Sequence, residues 1–316
     1  MRRFHIAFLL ILILAVGFRG QELPTPFQKG KQLLYEGKTR EALEVLLTVP
    51  WSSPDIMSAR KLISETCTRI ELANPKVNPP LRIEIVEIVA TLPHDSTCFT
   101  QGLAFDKGTF WESCGLKGKS SVRRVDAKTG KLLAEQKLDK KYYGEGLTQI
   151  NGKIFVLTWL EGTGLVFDSQ LNQLERTFAF QGEGWGIAHD GTDLICSNGT
   201  NEIRFLDPKT GSIKKTIKVF NGDLPIMNIN ELEYVNGELL ANILFTERIA
   251  RIDATSGKLI GWILAEGLLP TDLYNKANVL NGIAYDSVRG QLYLTGKNWP
   301  NVFIVNLKPL MASKST

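Results

Sequence analysis

Two patterns of apolar and polar positions divide the chain. From about residue 24 to 73 apolar residues recur at helical spacing, in FQKGKQLLYEGKTREALEVLL and again in PDIMSARKLISETCTRI, which predicts a pair of short helices followed by a longer one. The stretch Asn74 to Pro80 (NPKVNPP) breaks that pattern, because proline removes a backbone donor and disfavours helix before it. From Arg82 onward the period shortens to two, in strands separated by Gly, Asn and Asp turns.

The second part repeats itself. Gln101-Gly102-Leu103, Glu145-Gly146-Leu147, Trp185-Gly186-Ile187, Asn230-Glu231-Leu232 and Asn281-Gly282-Ile283 open successive copies, each followed by a turn and a second strand. Later in the copies VRRVDAKTGKLL, IRFLDPKTGSIK and IARIDATSGKLI place an Asp-x-x-(Thr/Ser)-Gly turn between strands, and GLVFDSQLNQLE fills the same slot less regularly. The copies start at residues 101, 145, 185, 230 and 281, a period of roughly 40 to 50 residues, which is one four-stranded propeller blade. The last copy ends near Leu307 one strand short, while RIEIVEIVATL stands unpaired before the first copy. Pairing those two ends would close the ring and remove a wide exposed sheet edge. The predicted fold is therefore all-β, a five-bladed β-propeller preceded by a small α-helical region.

In the helical region Gly30, Leu34, Gly37, Ala42, Leu46 and Pro54 sit at spacings that resemble one tetratricopeptide unit. A single unit cannot bury its own apolar face. It must pack on the following helix, on the propeller, or on a protein partner that docks through the N-terminal helices.

The N-terminus sets the compartment. Arg2 and Arg3 precede an apolar run from Ala7 to Val16 with small residues at Ala15, Gly17 and Gly20, the layout of a signal peptide. The run is far shorter than the roughly 20 residues a membrane span needs, so cleavage, no stable membrane span afterwards, and an exported protein, periplasmic or secreted, are expected. The predicted layout is a signal peptide at 1–20, helices at 22–75, a linker at 76–81, the propeller at 82–308 and a tail at 309–316.

A composition of 43% hydrophobic and 22% charged residues is that of a globular protein, and a net charge of +4 with scattered Lys and Arg leaves no nucleic-acid footprint. Cys67, Cys98, Cys114 and Cys196 lack metal-ligand spacing. Export permits a disulfide; Cys98 and Cys114 flank one predicted hairpin, and either this pair or free buried thiols satisfy the pattern.

One position per blade faces a central channel, and here it carries Gln101, Glu145, Trp185, Asn230 and Asn281. Residues serving symmetry alone would be alike; this mixture of carboxylate, carboxamides and indole suits a polar ligand. Trp159, Phe245, Lys297 and Trp299 fall at the ends of second strands, and period-two alternation turns Phe99 with Gln101 and Tyr143 with Glu145 to one side.

At these positions FTQGLAF (99–105), ESCGLKGKSSVRRV (112–125), YGEGLTQINGKIF (143–155), GEGWGIAHDG (182–191), NELEYVNGELLANI (230–243), LNGIAYD (280–286) and TGKNWP (295–300) closely resemble the glutaminyl-peptide cyclotransferases of plant and bacterial type. The resemblance runs from about residue 82 to 307 and leaves the helices outside it. It implies a five-bladed propeller whose substrates are peptides or proteins with an N-terminal Gln, closed to pyroglutamate with release of ammonia. It implies Glu145 as the catalytic proton shuttle, Gln101, Asn230 and Lys297 as hydrogen-bonding substrate ligands, and Phe99, Tyr143, Trp159 and Trp185 as pocket walls. No cofactor is required and no catalytic metal is expected, since His5, His94 and His189 show no ligand motif; the likeness to plant relatives leaves room for a structural Ca2+ in the channel. The chain departs from the family pattern at Leu244-Phe245, where Trp-Gln is usual. That departure is the feature favouring a non-catalytic propeller that binds peptides or proteins. A third reading, a metal-dependent propeller lactonase, would bring Glu145, Asn230 and Asn281 to one cation.

Overall fold

The computed structural model describes residues 23–73 and 81–310. The expected signal peptide, nearly all of the linker and most of the C-terminal tail lie outside the described residues.

Three helices come first: α1 (Pro26–Tyr35), α2 (Thr39–Leu46) and α3 (Ile56–Ala73). Thr25 starts α1 with a capping box, its hydroxyl accepting from the Gln28 N–H while the Gln28 carboxamide accepts from the Thr25 N–H, and Pro26 follows at the first helical position, where its missing N–H costs nothing. α1 and α2 approach at Gly30, where a Cβ would stand 2.6 Å from the Leu46 side chain. Leu43, Leu46, Ile63 and Ile70 form a small core that also takes in Leu224 and Met227 from the β part. The helices thus bury their apolar face partly on one another and partly on the sheets.

The rest is propeller-like. Three antiparallel four-stranded sheets and one eight-stranded sheet surround a centre. The eight-stranded sheet consists of two antiparallel sets of four, joined only where Arg82–Ile85 runs parallel to Gly261–Leu264. Each copy of the repeat supplies one innermost strand: Thr100–Asp106, Gly144–Ile150, Ile187–His189, Ile229–Val235 and Leu280–Asp286. Each of these touches the next, and the last touches the first. The strand Arg82–Pro93, unpaired in the sequence pattern, lies antiparallel to Asn301–Pro309 with a bulge between Ile88 and Ala90, so the two ends of the β part are held in one sheet.

The second position of the repeat motif explains the tight centre. A Cβ on Gly102 would meet the Leu147 nitrogen at 2.2 Å, one on Gly146 the Trp185 oxygen at 2.4 Å, and one on Gly186 the Asn230 oxygen at 2.1 Å. Neighbouring innermost strands therefore pack backbone against backbone, which only glycine permits. The fourth copy carries Glu231 there instead, and its carboxylate accepts from the Leu103 N–H at 3.3 Å and the Ile283 N–H at 2.9 Å. One side chain thereby ties three innermost strands together.

Cys98 and Cys114 form a disulfide, while Cys67 and Cys196 are free thiols. The bridge closes the hairpin at the end that bears Phe99, whose carbonyl also accepts from the Gly115 N–H. The Cys98 carbonyl accepts from the Asn298 N–H, so the segment carrying Lys297 is fastened to the same corner.

Candidate active site

The eight residues to which the resemblance gave roles line one cavity: Phe99, Gln101, Tyr143, Glu145, Trp159, Trp185, Asn230 and Lys297, together with Met57, Leu244, Phe245, Asn278 and Val279. Its volume is about 210 Å³. Gln101, Glu145 and Asn230 come from innermost strands or their ends, as period-two alternation places them, and Trp159 and Lys297 from the turns after second strands.

Glu145 is at the centre of the polar contacts. Its Oε1 accepts from the Gln101 carboxamide at 3.0 Å, and the same Gln101 nitrogen lies 3.4 Å from the Tyr143 hydroxyl. Burial pushes the Glu145 carboxyl up to about 8, against the pull of the Lys297 charge, with Glu183 and Glu161 adding to the rise. Burial draws Lys297 down to about 8, opposed by Glu145; its ammonium sits 4.8 Å from the centre of the Phe99 ring. Burial, and then the Glu145 charge, pushes the Tyr143 phenol up to about 12. Two groups of opposite charge type thus share a site whose burial disfavours both charged forms.

Gly115 sets the spacing of this cluster, since a Cβ there would stand 2.7 Å from the Gln101 side chain and 3.0 Å from the Tyr143 ring. The aromatic wall is ordered in turn by a residue that the sequence analysis did not single out. Glu183 accepts from the Trp159 indole at 2.7 Å and the Trp185 indole at 2.8 Å through one oxygen. Tyr143 meets Trp159 edge-on at 5.5 Å.

A sequence model of the family described as glutamine cyclotransferase matches residues 62–307. The chain belongs to the glutamine cyclotransferase family. A glutaminyl-peptide cyclotransferase from Arabidopsis thaliana is 42% identical over 240 residues, which is 73% of this chain and 74% of that protein. The crystal structure of Myxococcus xanthus glutaminyl cyclase is similar with a TM-score of 0.68 at 30% identity, covering 73% of this chain and 100% of that one.

For a glutamine cyclotransferase of this layout two expectations need amending, the extent of the resemblance and the placing of Trp299 and Asn281 at the pocket. The family match begins at residue 62, inside α3, and not at the first strand. Trp299 and Asn281 are not in the wall of the cavity. Trp299 is buried, donates its indole N–H to the Asn278 carbonyl at 2.8 Å, and borders the neighbouring cavity. Asn281 stands behind Asn230, accepting from its amide at 2.8 Å and donating to the Thr100 carbonyl at 2.9 Å; its polarity serves strand-to-strand contact. Leu244 and Phe245, where the family pattern is broken, both line the pocket, Phe245 in a left-handed backbone conformation with φ 68. An aromatic face is therefore present on that side.

Glu183 had a signal in the sequence. It sits two residues before Trp185, and the period-two argument that joined Phe99 to Gln101 joins these as well. Met57 had none, because it arrives from the helices.

Proposed function

We propose that this chain is an exported glutaminyl-peptide cyclotransferase acting on peptides or proteins that begin with Gln, with Glu145 as its catalytic residue and no cofactor consumed. The observation that carries the reading is the convergence of the buried side chains of Glu145, Gln101 and Lys297 in one aromatic-walled cavity of a chain in this family. At about 210 Å³ the cavity is smaller than the roughly 300–1,000 Å³ of drug-sized sites, and suits one residue of a peptide.

The reaction needs a neutral α-amine, held against its own γ-carboxamide. The amine nitrogen bonds to the carboxamide carbon, the bond from that carbon to its original nitrogen breaks, and the nitrogen leaves as ammonia. Glu145 takes the proton from the attacking nitrogen and returns it to the departing one, for which a carboxyl group with a proton affinity near that of an amine is well matched. Lys297 is the cation that can donate to the oxyanion, while the Gln101 carboxamide holds the Glu145 carboxyl in place. Phe99, Tyr143, Trp159 and Trp185 hold the folded conformer in which the ends meet, an entropic contribution.

The closed ring of five innermost strands supports reading the sheets as a five-bladed propeller, and the close approach at Gly30 supports a tetratricopeptide-like hairpin for α1 and α2. Export is supported by the leader pattern at the N-terminus and by the Cys98–Cys114 disulfide. The non-catalytic reading rested on Leu244-Phe245, and Phe245 keeps an aromatic face in the pocket. For the lactonase reading, Asn230 and Asn281 are already engaged with each other.

An ammonia-release assay on a short Gln-initiated peptide tests the proposal. Wild-type protein releases ammonia in step with pyroglutamyl product, and Glu145→Gln is slower by about 10²–10⁴-fold. Full turnover by Glu145→Gln would remove Glu145 from the mechanism.

A further inference from the structure

The residues just upstream of the family match reach the pocket that the family match contains. Met57, on the first turn of α3, lines the same cavity as Glu145. Arg60, one turn on, is 4% exposed. Its guanidinium lies 3.3 Å from the ring centre of Trp51 and 4.6 Å from that of Trp185, and Trp51 meets Trp185 edge-on at 6.2 Å. One Arg60 nitrogen donates to the Gly199 carbonyl and the Asn228 side-chain oxygen, both at 2.8 Å. The Asn228 amide answers with bonds to the Arg60 carbonyl at 2.8 Å and the Ser64 hydroxyl at 2.7 Å, and Ser64 donates to the Leu244 carbonyl at 2.8 Å.

The sheet side is shaped for this guest. A Cβ on Gly199 would stand 2.7 Å from the Arg60 guanidinium and 2.6 Å from the Trp185 ring. Trp185 is therefore held from two directions, by the Glu183 carboxylate on its N–H and by Arg60 on its face. The bonds to Asn228 and Leu244 fall beside Asn230 and Phe245, so α3 is stitched to the strand ends that supply the pocket.

We infer that the N-terminal helical segment is a permanent wall of the substrate pocket, in which Met57 bounds the space for the substrate and Arg60 is a positioning residue for Trp185. The inference rests on the cyclotransferase reading of the pocket. It assigns the face of α3 bearing Met57, Arg60 and Ser64 to the enzyme's own site and takes that face away from any partner. Because Glu145, Gln101 and Lys297 lie on other segments, loss of this wall weakens substrate binding far more than it slows the chemical step.

The test uses the full chain with Met57→Ala, Arg60→Lys and Trp51→Ala. Arg60→Lys keeps a long amine-tipped side chain and loses the planar stacking; Trp51 is 42% exposed, so the space left by its removal opens to solvent. Each variant raises KM for a Gln-initiated dipeptide amide by about tenfold, with kcat within about twofold. In a Glu145→Gln background, the Kd of the same peptide, read from tryptophan fluorescence, rises by the same factor. Folded variants with unchanged KM and Kd overturn the inference, and so does a lowered Tm with unchanged Kd, which would make α3 a stabilising strap only. A wild-type protein that binds the peptide and releases no ammonia counts against the cyclotransferase reading alone, because the Kd series still decides the wall. A parent that binds no Gln peptide overturns both.

Discussion

Glu145 and Lys297 are moved in opposite directions by one cause. Burial penalises the charged form of each, which lifts the carboxyl to about 8 and lowers the ammonium to about 8. Each also favours the charge of the other, so the two titrate as a pair. Below pH 8 Glu145 holds its proton and cannot accept one; above it Lys297 loses the charge that would meet an oxyanion. The expected kcat/KM profile is bell-shaped and centred near pH 8. Lys297→Met removes the charge that holds Glu145 down, so the limb belonging to Glu145 moves to higher pH while the rate falls by about 10²–10³-fold; a profile that keeps its position would show that Lys297 does not set the Glu145 proton affinity. At this scale the sequence was informative because the repeat register exposes unlike residues at like positions. Glu183 stayed hidden only because it lies one alternation step outside that register.

Elements obey a different constraint, the backbone contact between innermost strands. Gly102, Gly146 and Gly186 permit it, and Glu231 bridges it where the fourth copy lacks glycine. The Glu231 carboxyl lies well above its ordinary proton affinity through burial and the neighbouring Glu233 charge, opposed by the two N–H groups it accepts from. Glu231→Ala would leave the Leu103 and Ile283 N–H groups buried without a partner, at about 1–3 kcal/mol each. The expected result is a fall of about 2–5 kcal/mol in unfolding free energy by urea titration, with Glu231→Gln much milder because one acceptor remains. Equal stability of Glu231→Ala would make the bridge dispensable. The alternating strands, their period and the pairing of the chain ends were legible beforehand, since each follows from side-chain spacing along one segment. The docking of α3 was not. Helical periodicity reveals an apolar face, whereas α3 is fastened beside the pocket through Arg60 and Ser64, polar residues that look solvent-facing until their partners on distant strands are known.

Across the whole molecule, the buried titrating groups tie stability to the same pH range as activity. Burial raises Glu145 and Glu233 from 4.5 to about 8. His94 rises from 6.5 to about 9: burial opposes the change, but the Glu112 carboxylate and the Trp299 carbonyl outweigh it. In each case the folded state keeps a proton that the unfolded state has released, so between the two values the folded state binds more protons and stability falls as pH rises. Lys297 acts oppositely, because from about 8 to 10.5 the folded state has lost a proton that the unfolded chain retains, and stability recovers there. The net expectation is a Tm that declines from pH 5 to about 8 and levels off or rises beyond about 9. Glu233→Gln isolates the effect, since Glu233 accepts from the Tyr285 N–H at 3.2 Å and does not line the pocket. That variant should flatten the decline between pH 5 and 8 and leave the position of the kcat/KM bell unchanged. A wild-type Tm that rises over that interval would contradict the proton balance assigned to these groups. The fold is thus least stable near the pH at which the Glu145–Lys297 pair is best poised to move a proton, because one property, the burial of ionisable groups, contributes to both effects.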